Sequence, residues 1–389
     1  MELHDALPLL LVTFAVAVLP GVSRLLRVPS AVAEILFGVL LGKSGLSLNM
    51  GGEWLPFLAH LGFLLLMFQS GMEINFTMLG RQLKREGPFQ LTFFGATVVI
   101  ALSAALMLGQ GMFTALILTT TSLGLVMPVL KELNLGRTDF GQSMLMSATL
   151  ADFLTLLGIT FVILFHRHGL SWRMVQPLPL FLGFALLLWL LRLWAWWNPE
   201  RAEKIMKPAS GSDPQELSVR YSLALLFLFV GLSLLVGLEP VLGAFMGGAI
   251  LSFVFREKEQ LESKISALGF GFLVPLFFIH VGMQFDVSNV LTLDRLLFTG
   301  GLVLLAFLVK CLPGLLFPLW GKPLKRGLSA GLLLSSRLSL IVAAASVGLA
   351  EGLITAEFKD SVVLLALVTC LAGPTLFKLT YKAPPQPKL

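Results

Sequence analysis

Apolar runs, most of them long enough to cross a bilayer, follow one another along nearly the whole chain, and no other feature restricts its fold so far. Charged or Gly/Pro-rich breaks separate thirteen of them: 6–24, 29–42, 54–72, 88–108, 111–130, 141–166, 175–196, 217–237, 239–255, 263–284, 294–319, 325–350 and 358–380. A helical span takes about 20 predominantly apolar residues, so these runs and their loops use up the 389 residues. Hydrophobic residues make up 56% of the chain and charged ones 13%, where soluble domains carry about 25% charged residues. Composition thus excludes a soluble enzyme, a nucleic-acid binder and a disordered chain. The expected fold class is an all-α polytopic membrane protein of about 13 transmembrane helices, seated in a lipid bilayer. Its first run is read as a retained helix rather than a cleaved signal. Cys311 and Cys370 lie inside apolar runs, which supports neither a disulfide framework nor a thiolate metal site.

A net charge of +6 has a different meaning in a membrane protein than in a soluble one. Lys and Arg concentrate in cytoplasmic loops. With the N-terminus outside, 21 of the 28 Lys and Arg residues fall on the inner side, 5 on the outer side, and Lys310 and Arg337 inside spans. The expected placement is therefore an inner (plasma) membrane with the N-terminus outside and the C-terminus cytoplasmic.

The two halves of the chain share spaced features. Pro29 opens the second run and Pro240 the ninth, 211 residues apart, and the Gly71-Met72 and Gly282-Met283 pairs close the third and tenth at the same separation. A shift of seven helices is odd, so the copy runs the opposite way across the membrane. This is the inverted-topology repeat of many secondary transporters, whose sites lie near the midplane where broken helices meet. The expected organisation is a first repeat with a connector helix over 1–196, a cytoplasmic linker over 197–216 and a second repeat over 217–389.

The repeat pairs the fifth run with the twelfth, and both carry a mid-span polar cluster: Thr119, Thr120, Thr121 and Ser122 in one, Ser335, Ser336, Arg337 and Ser339 in the other. Hydroxyls can satisfy backbone groups freed by unwinding. Exposed carbonyls and half-helix ends can then bind a cation. Two crossing broken helices are expected here, although such residues can also serve only to join neighbouring helices.

Charge inside a span is costly, at about 2.5–3.5 kcal/mol for Asp, Lys or Arg at a helix centre on insertion scales. Asp152 sits mid-way along the sixth run, Lys310 in the eleventh and Arg337 in the twelfth. Such groups mark ion and proton paths by default. Asp152 is the candidate ion- and proton-binding carboxylate, and Lys310 and Arg337 are candidate charge compensators. Arg337 could equally neutralise helix ends at the crossover. Glu34, Ser336, Ser339 and His280 are candidate cavity-lining residues, with a packing role the alternative for His280. No cofactor motif, metal-ligand cluster, nucleophile elbow or phosphate loop is present.

Taken together these segments resemble the monovalent cation:proton antiporter-2 family, the Kef/Nap type. The resemblance rests on T-T-T-S-L-G-L-V-M-P-V-L-K-E-L, Ala151-Asp152, V-P-L-F-F-I-H-V-G-M, Lys310, S-S-R-L-S-L-I-V, and V-A-E-I-L-F-G-V-L-L-G with Glu34. It implies a Na+/H+ antiporter-like fold and a homodimer. It also implies an elevator-like core that carries the ion site, Asp152 as the ion-binding residue and Lys310 as its salt-bridge partner. Electrogenic members have two adjacent acids where this chain has Ala151-Asp152, and many have Arg-Gly-Glu where it has Arg337-Leu338-Ser339.

The expected function is secondary antiport of a monovalent cation, Na+ or K+, against H+ by alternating access. A one-for-one, electroneutral exchange follows from a single carboxylate that holds either a proton or a cation. The alternatives are a sodium-coupled organic-anion symporter of similar fold and a non-transporting membrane sensor or scaffold.

Overall fold

The structure, a computed structural model, describes residues 3–26, 28–46, 54–74, 76–136, 138–169, 216–254, 259–289 and 292–381, with scattered positions between 179 and 193. The expected connector helix 175–196 lies mostly outside the described residues, and the linker 197–216 lies outside them but for its last residue. The described residues form α1 (Leu3–Leu26), α2 (Ser30–Leu41), α3 (Trp54–Met72), α4 (Phe76–Met107), α5 (Met112–Thr119), α6 (Leu123–Glu132) and α7 (Asp139–His168). They continue with α8 (Leu217–Leu235), α9 (Pro240–Val254), α10 (Glu259–Leu268), α11 (Val274–Gln284), α12 (Leu293–Cys311), α13 (Leu324–Leu334), α14 (Ser339–Ala350) and α15 (Ala356–Thr380). Among the described residues eight helical spans are long and apolar enough to cross a membrane, the α5–α6 span among them, or ten if the bent pairs α1–α2 and α13–α14 each count as one span. Apart from 175–196, each expected run coincides with one helix or with two or more consecutive helical segments.

Two compact units divide the chain, and each takes segments from both halves of the sequence: Met1–Phe76 with Ile163–Phe285, and Thr77–Val162 with Asp286–Leu389. In the first unit α2 packs on α11 and α3 on α9. These are equivalent contacts under the repeat, since the third run corresponds to the tenth and the second to the ninth. The matched glycines make both contacts possible. A Cβ on Gly71 would run into the Phe245 carbonyl, and one on Gly282 into the Ile35 carbonyl. Small residues let helix backbones approach closely where lipid offers no hydrophobic drive for association. Val12, Val16, Ala33, Leu276 and Ile279 fill a core among α1, α2 and α11.

The second unit holds the two spans with polar clusters, and both are broken. The α5–α6 span breaks at Thr120–Ser122, where Thr120 has φ −53° and ψ 152° and Ser122 φ −131° and ψ 107°. The α13–α14 span bends by 51° at its break. Half packs on half: α5 lies against α14, where Gly348 leaves room for Phe113. Leu123, Val126 and Leu130 of α6 share a core with Ala330, Leu333 and Leu334 of α13, joined by Met144 and Ala148 of α7.

Ion pairs decorate the helix ends. Within the second unit the pairs are Lys322–Glu86, Arg85–Asp139, Lys378–Glu132 and Arg295–Glu357. Within the first unit they are Arg167–Glu239 and Lys264–Glu216. Exposed pairs contribute about 0–1 kcal/mol each, so packing rather than these pairs holds each unit together internally.

Candidate functional site: a lysine at the helix break

The break in the α5–α6 span follows from its sequence. Three consecutive threonines combine β-branching with hydroxyls that compete for backbone acceptors. Thr119 Oγ1 donates to the Leu116 carbonyl at 2.7 Å and Thr120 Oγ1 to the Ile117 carbonyl at 2.8 Å. Carbonyls at the end of α5 thereby regain partners. Thr119, Thr120, Thr121 and Ser122 are all buried.

Lys310, 2% exposed near the end of α12, reaches this break. Its Nζ donates to the Thr119 carbonyl at 2.6 Å and to Thr121 Oγ1 at 2.8 Å. An ammonium at the C-terminal end of α5 also meets the negative pole of that helix. Asp152 lies on α7, half-buried, one turn before Thr155. Thr155 Oγ1 sits 3.0 Å from Thr119 Oγ1, which brings this face of α7 to the same break. Lys310 is within Coulombic reach of both Asp152 and Arg337.

Arg337 is fully buried in the α13–α14 break. Its Nη2 donates to the Ala306 carbonyl of α12 at 2.9 Å, one turn before Lys310, while Nε and Nη1 find no partner among the described residues. Ser336 is buried as well, and its Oγ lies against Gly373 of α15. Ser339 is half-buried at the first position of α14. The two other candidates belong to the first unit. Glu34 is buried on α2, which packs on α11, and His280 on α11 has its Nε2 2.8 Å from Gln284 Nε2.

A small cavity opens beside Lys310 and Thr121, with Gln90, Thr97, Ser147 and Ala151 in its wall. Sequence reasoning missed Thr155, Gln90 and Ser147. Thr155 was legible as the residue one helical turn from Asp152, and Gln90 as an uncharged polar side chain inside a span. Among the described residues no group of three or more His, Cys, Asp or Glu side chains gathers to hold a metal ion. The chemistry on offer is therefore one carboxylate, two fixed cations, hydroxyls and freed carbonyls. Such a set suits a weakly held monovalent ion better than a resident metal.

Residues 10–382 match the family model described as sodium/hydrogen exchanger, transmembrane. The chain is 32% identical over 384 residues to the putative Na(+)/H(+) antiporter YjbQ of Bacillus subtilis, covering 93% of this chain and 61% of that protein. It therefore spans less than two thirds of that relative's length. It is 27% identical to the Na(+)/H(+) antiporter of Enterococcus hirae over 97% of this chain and 98% of that one. Against the Na(+)/H(+)-K(+) antiporter GerN of Bacillus cereus the identity is 24%, with 98% of each chain covered. The solved structure of the sodium proton antiporter MjNhaP1 from Methanocaldococcus jannaschii has the same fold. Its TM-score is 0.65 at 14% identity, over 95% of this chain and 94% of that one.

Proposed function

Because this chain belongs to the sodium/hydrogen exchanger family, we propose that it exchanges a monovalent cation, Na+ or K+, for H+ at a single site centred on Asp152. It is an integral membrane transporter and not an enzyme. Asp152 holds either a proton or a cation, and each neutralises it. An empty, charged carboxylate faces the desolvation cost of the membrane interior, so only the loaded site moves freely. That competition couples the two fluxes.

One observation carries the reading. Two broken helices, Asp152 and a buried lysine bound to the break gather in one compact unit. Lys310 acts as a tethered cation at the Thr119 carbonyl. Arg337 compensates the ends of α13 and α14, and the Thr119–Ser122 segment supplies oxygens to the passing ion. A site carried entirely by one unit supports elevator-like alternating access, with that unit as the carrier. Ala151 supplies no second acid beside Asp152, which supports one cation per proton. The homodimer and the orientation with the N-terminus outside and the C-terminus cytoplasmic complete the proposal. The relative named as a Na(+)/H(+)-K(+) antiporter keeps K+ in the substrate class.

The test is ion-pulsed transport in proteoliposomes with a lumenal pH dye. Additions of Na+, K+ and Li+ in turn should each be scored for lumenal alkalinisation, and at least one of Na+ and K+ should produce it. Silence to all three ions from well-incorporated protein would sink the antiport reading.

A further inference from the structure

A line of polar side chains runs between α4 and α7 and ends at the Lys310 cavity. On α4 it consists of Glu86 and Gln90 and on α7 of Ser143 and Ser147, each pair four residues apart and so on one helix face. Ser143 Oγ donates to Glu86 Oε2 at 2.7 Å. Gln90 Nε2 donates to Ser143 Oγ at 2.9 Å and to the Ser143 carbonyl at 3.1 Å, and Ser147 Oγ donates to Gln90 Oε1 at 2.6 Å. Gln90 and Ser147 then form part of the cavity wall with Thr121 and Lys310. At the other end Lys322 Nζ holds Glu86 Oε1 at 3.1 Å and sits 3.9 Å over the Phe89 ring. Gln90, Ser143 and Ser147 are all buried.

We propose that this α4–α7 seam is a route by which water and the transported cation reach the Lys310 cavity from the membrane side that carries Glu86, with the Glu86–Lys322 pair closing its mouth. The proposal rests on the antiport reading and adds a path to it. Joining two helices needs a polar contact or two. This seam instead spans about 6 Å of helix from Glu86 to Gln90 at 1.5 Å per residue, and it has an ion pair at one end and a charged cavity at the other. Its carbonyl, amide and hydroxyl oxygens can stand in for a cation's hydration shell. Glu86 attracts the cation. Lys322 is the built-in counter-ion that an arriving cation displaces.

Accessibility labelling tests the route without requiring exchange. Single cysteines are placed at Ser143, Ser147 and, as a buried control on α7, Thr160, in a background with Cys311→Ser and Cys370→Ala. The protein in lipid nanodiscs is treated with a membrane-impermeant cationic methanethiosulfonate. Ser143→Cys and Ser147→Cys should react at least about tenfold faster than Thr160→Cys, since thiol modification follows access, and Ser143→Cys should react before Ser147→Cys. Adding Lys322→Met should speed labelling at Ser147→Cys several-fold, because it frees Glu86 to draw in the reagent. Radical footprinting of the unmodified protein keeps the question open to test if a cysteine variant misfolds, and Phe93 on the cavity wall should then oxidise more than Phe377. Reaction at Ser147→Cys no faster than at Thr160→Cys, or equal protection of Phe93 and Phe377, would make the seam dry packing. That result would overturn the route and leave the antiport reading standing, whereas absent exchange in the wild type would overturn the reading itself.

Discussion

Lys310 spends two of its three ammonium protons on the Thr119 carbonyl and Thr121 Oγ1, so its removal should be felt in stability as well as transport. A buried acceptor left without a donor costs about 1–3 kcal/mol. Lys310→Met should therefore lower the thermal midpoint of the purified protein more than Lys310→Gln, whose amide can still donate; equal midpoints would mean that these bonds contribute little. Asp152 and Lys310 were legible in the sequence, because a charge within an apolar run is rare and costly. The lysine's actual acceptors were not. A backbone carbonyl becomes available only where a helix breaks, and the contact spans 191 residues of chain. The hydrogen bond from Arg337 to the Ala306 carbonyl was hidden for the same reason.

At the scale of elements, both breaks could be read from hydroxyl clusters once the repeat had paired their helices. Other departures from regular helix were not foreseen. The run expected as one helix over 294–319 turns 3-10 at Leu312–Trp320, where Pro313 and Pro318 each remove a backbone donor. The span leading to His280 contains a π-helical turn at Gly269–Leu273, which no residue pattern announced. The repeat makes its own prediction for packing. Gly71→Ala and Gly282→Ala should each destabilise the fold by about 1–3 kcal/mol, as overpacking of a tight contact does. A Cβ at either position meets a backbone carbonyl of a partner helix, α9 or α2. Denaturation monitored by light scattering should show similar losses for both variants, while Gly80→Ala, where a Cβ meets nothing, should lose little. A large asymmetry between Gly71 and Gly282 would argue against equivalent roles.

For the whole molecule, the membrane class and the all-helical architecture of the described residues followed from composition and run length alone. The two compact units did not, because each unites two segments far apart in the chain, and such pairings are long-range contacts that hydropathy cannot register. A single acid at the site leads to a prediction about the complete cycle: exchange moves no net charge. Sodium jumps on a solid-supported membrane should give no sustained current, and a steady cation-dependent current would require a second proton per turnover. The central claim is that one carboxylate serves both ions, and it is tested most directly by a sodium pulse to proteoliposomes carrying wild type or Asp152→Asn with a lumenal pH dye. The account predicts prompt lumenal alkalinisation for the wild type and none for an equally well incorporated Asp152→Asn; alkalinisation by Asp152→Asn at the wild-type rate would contradict it.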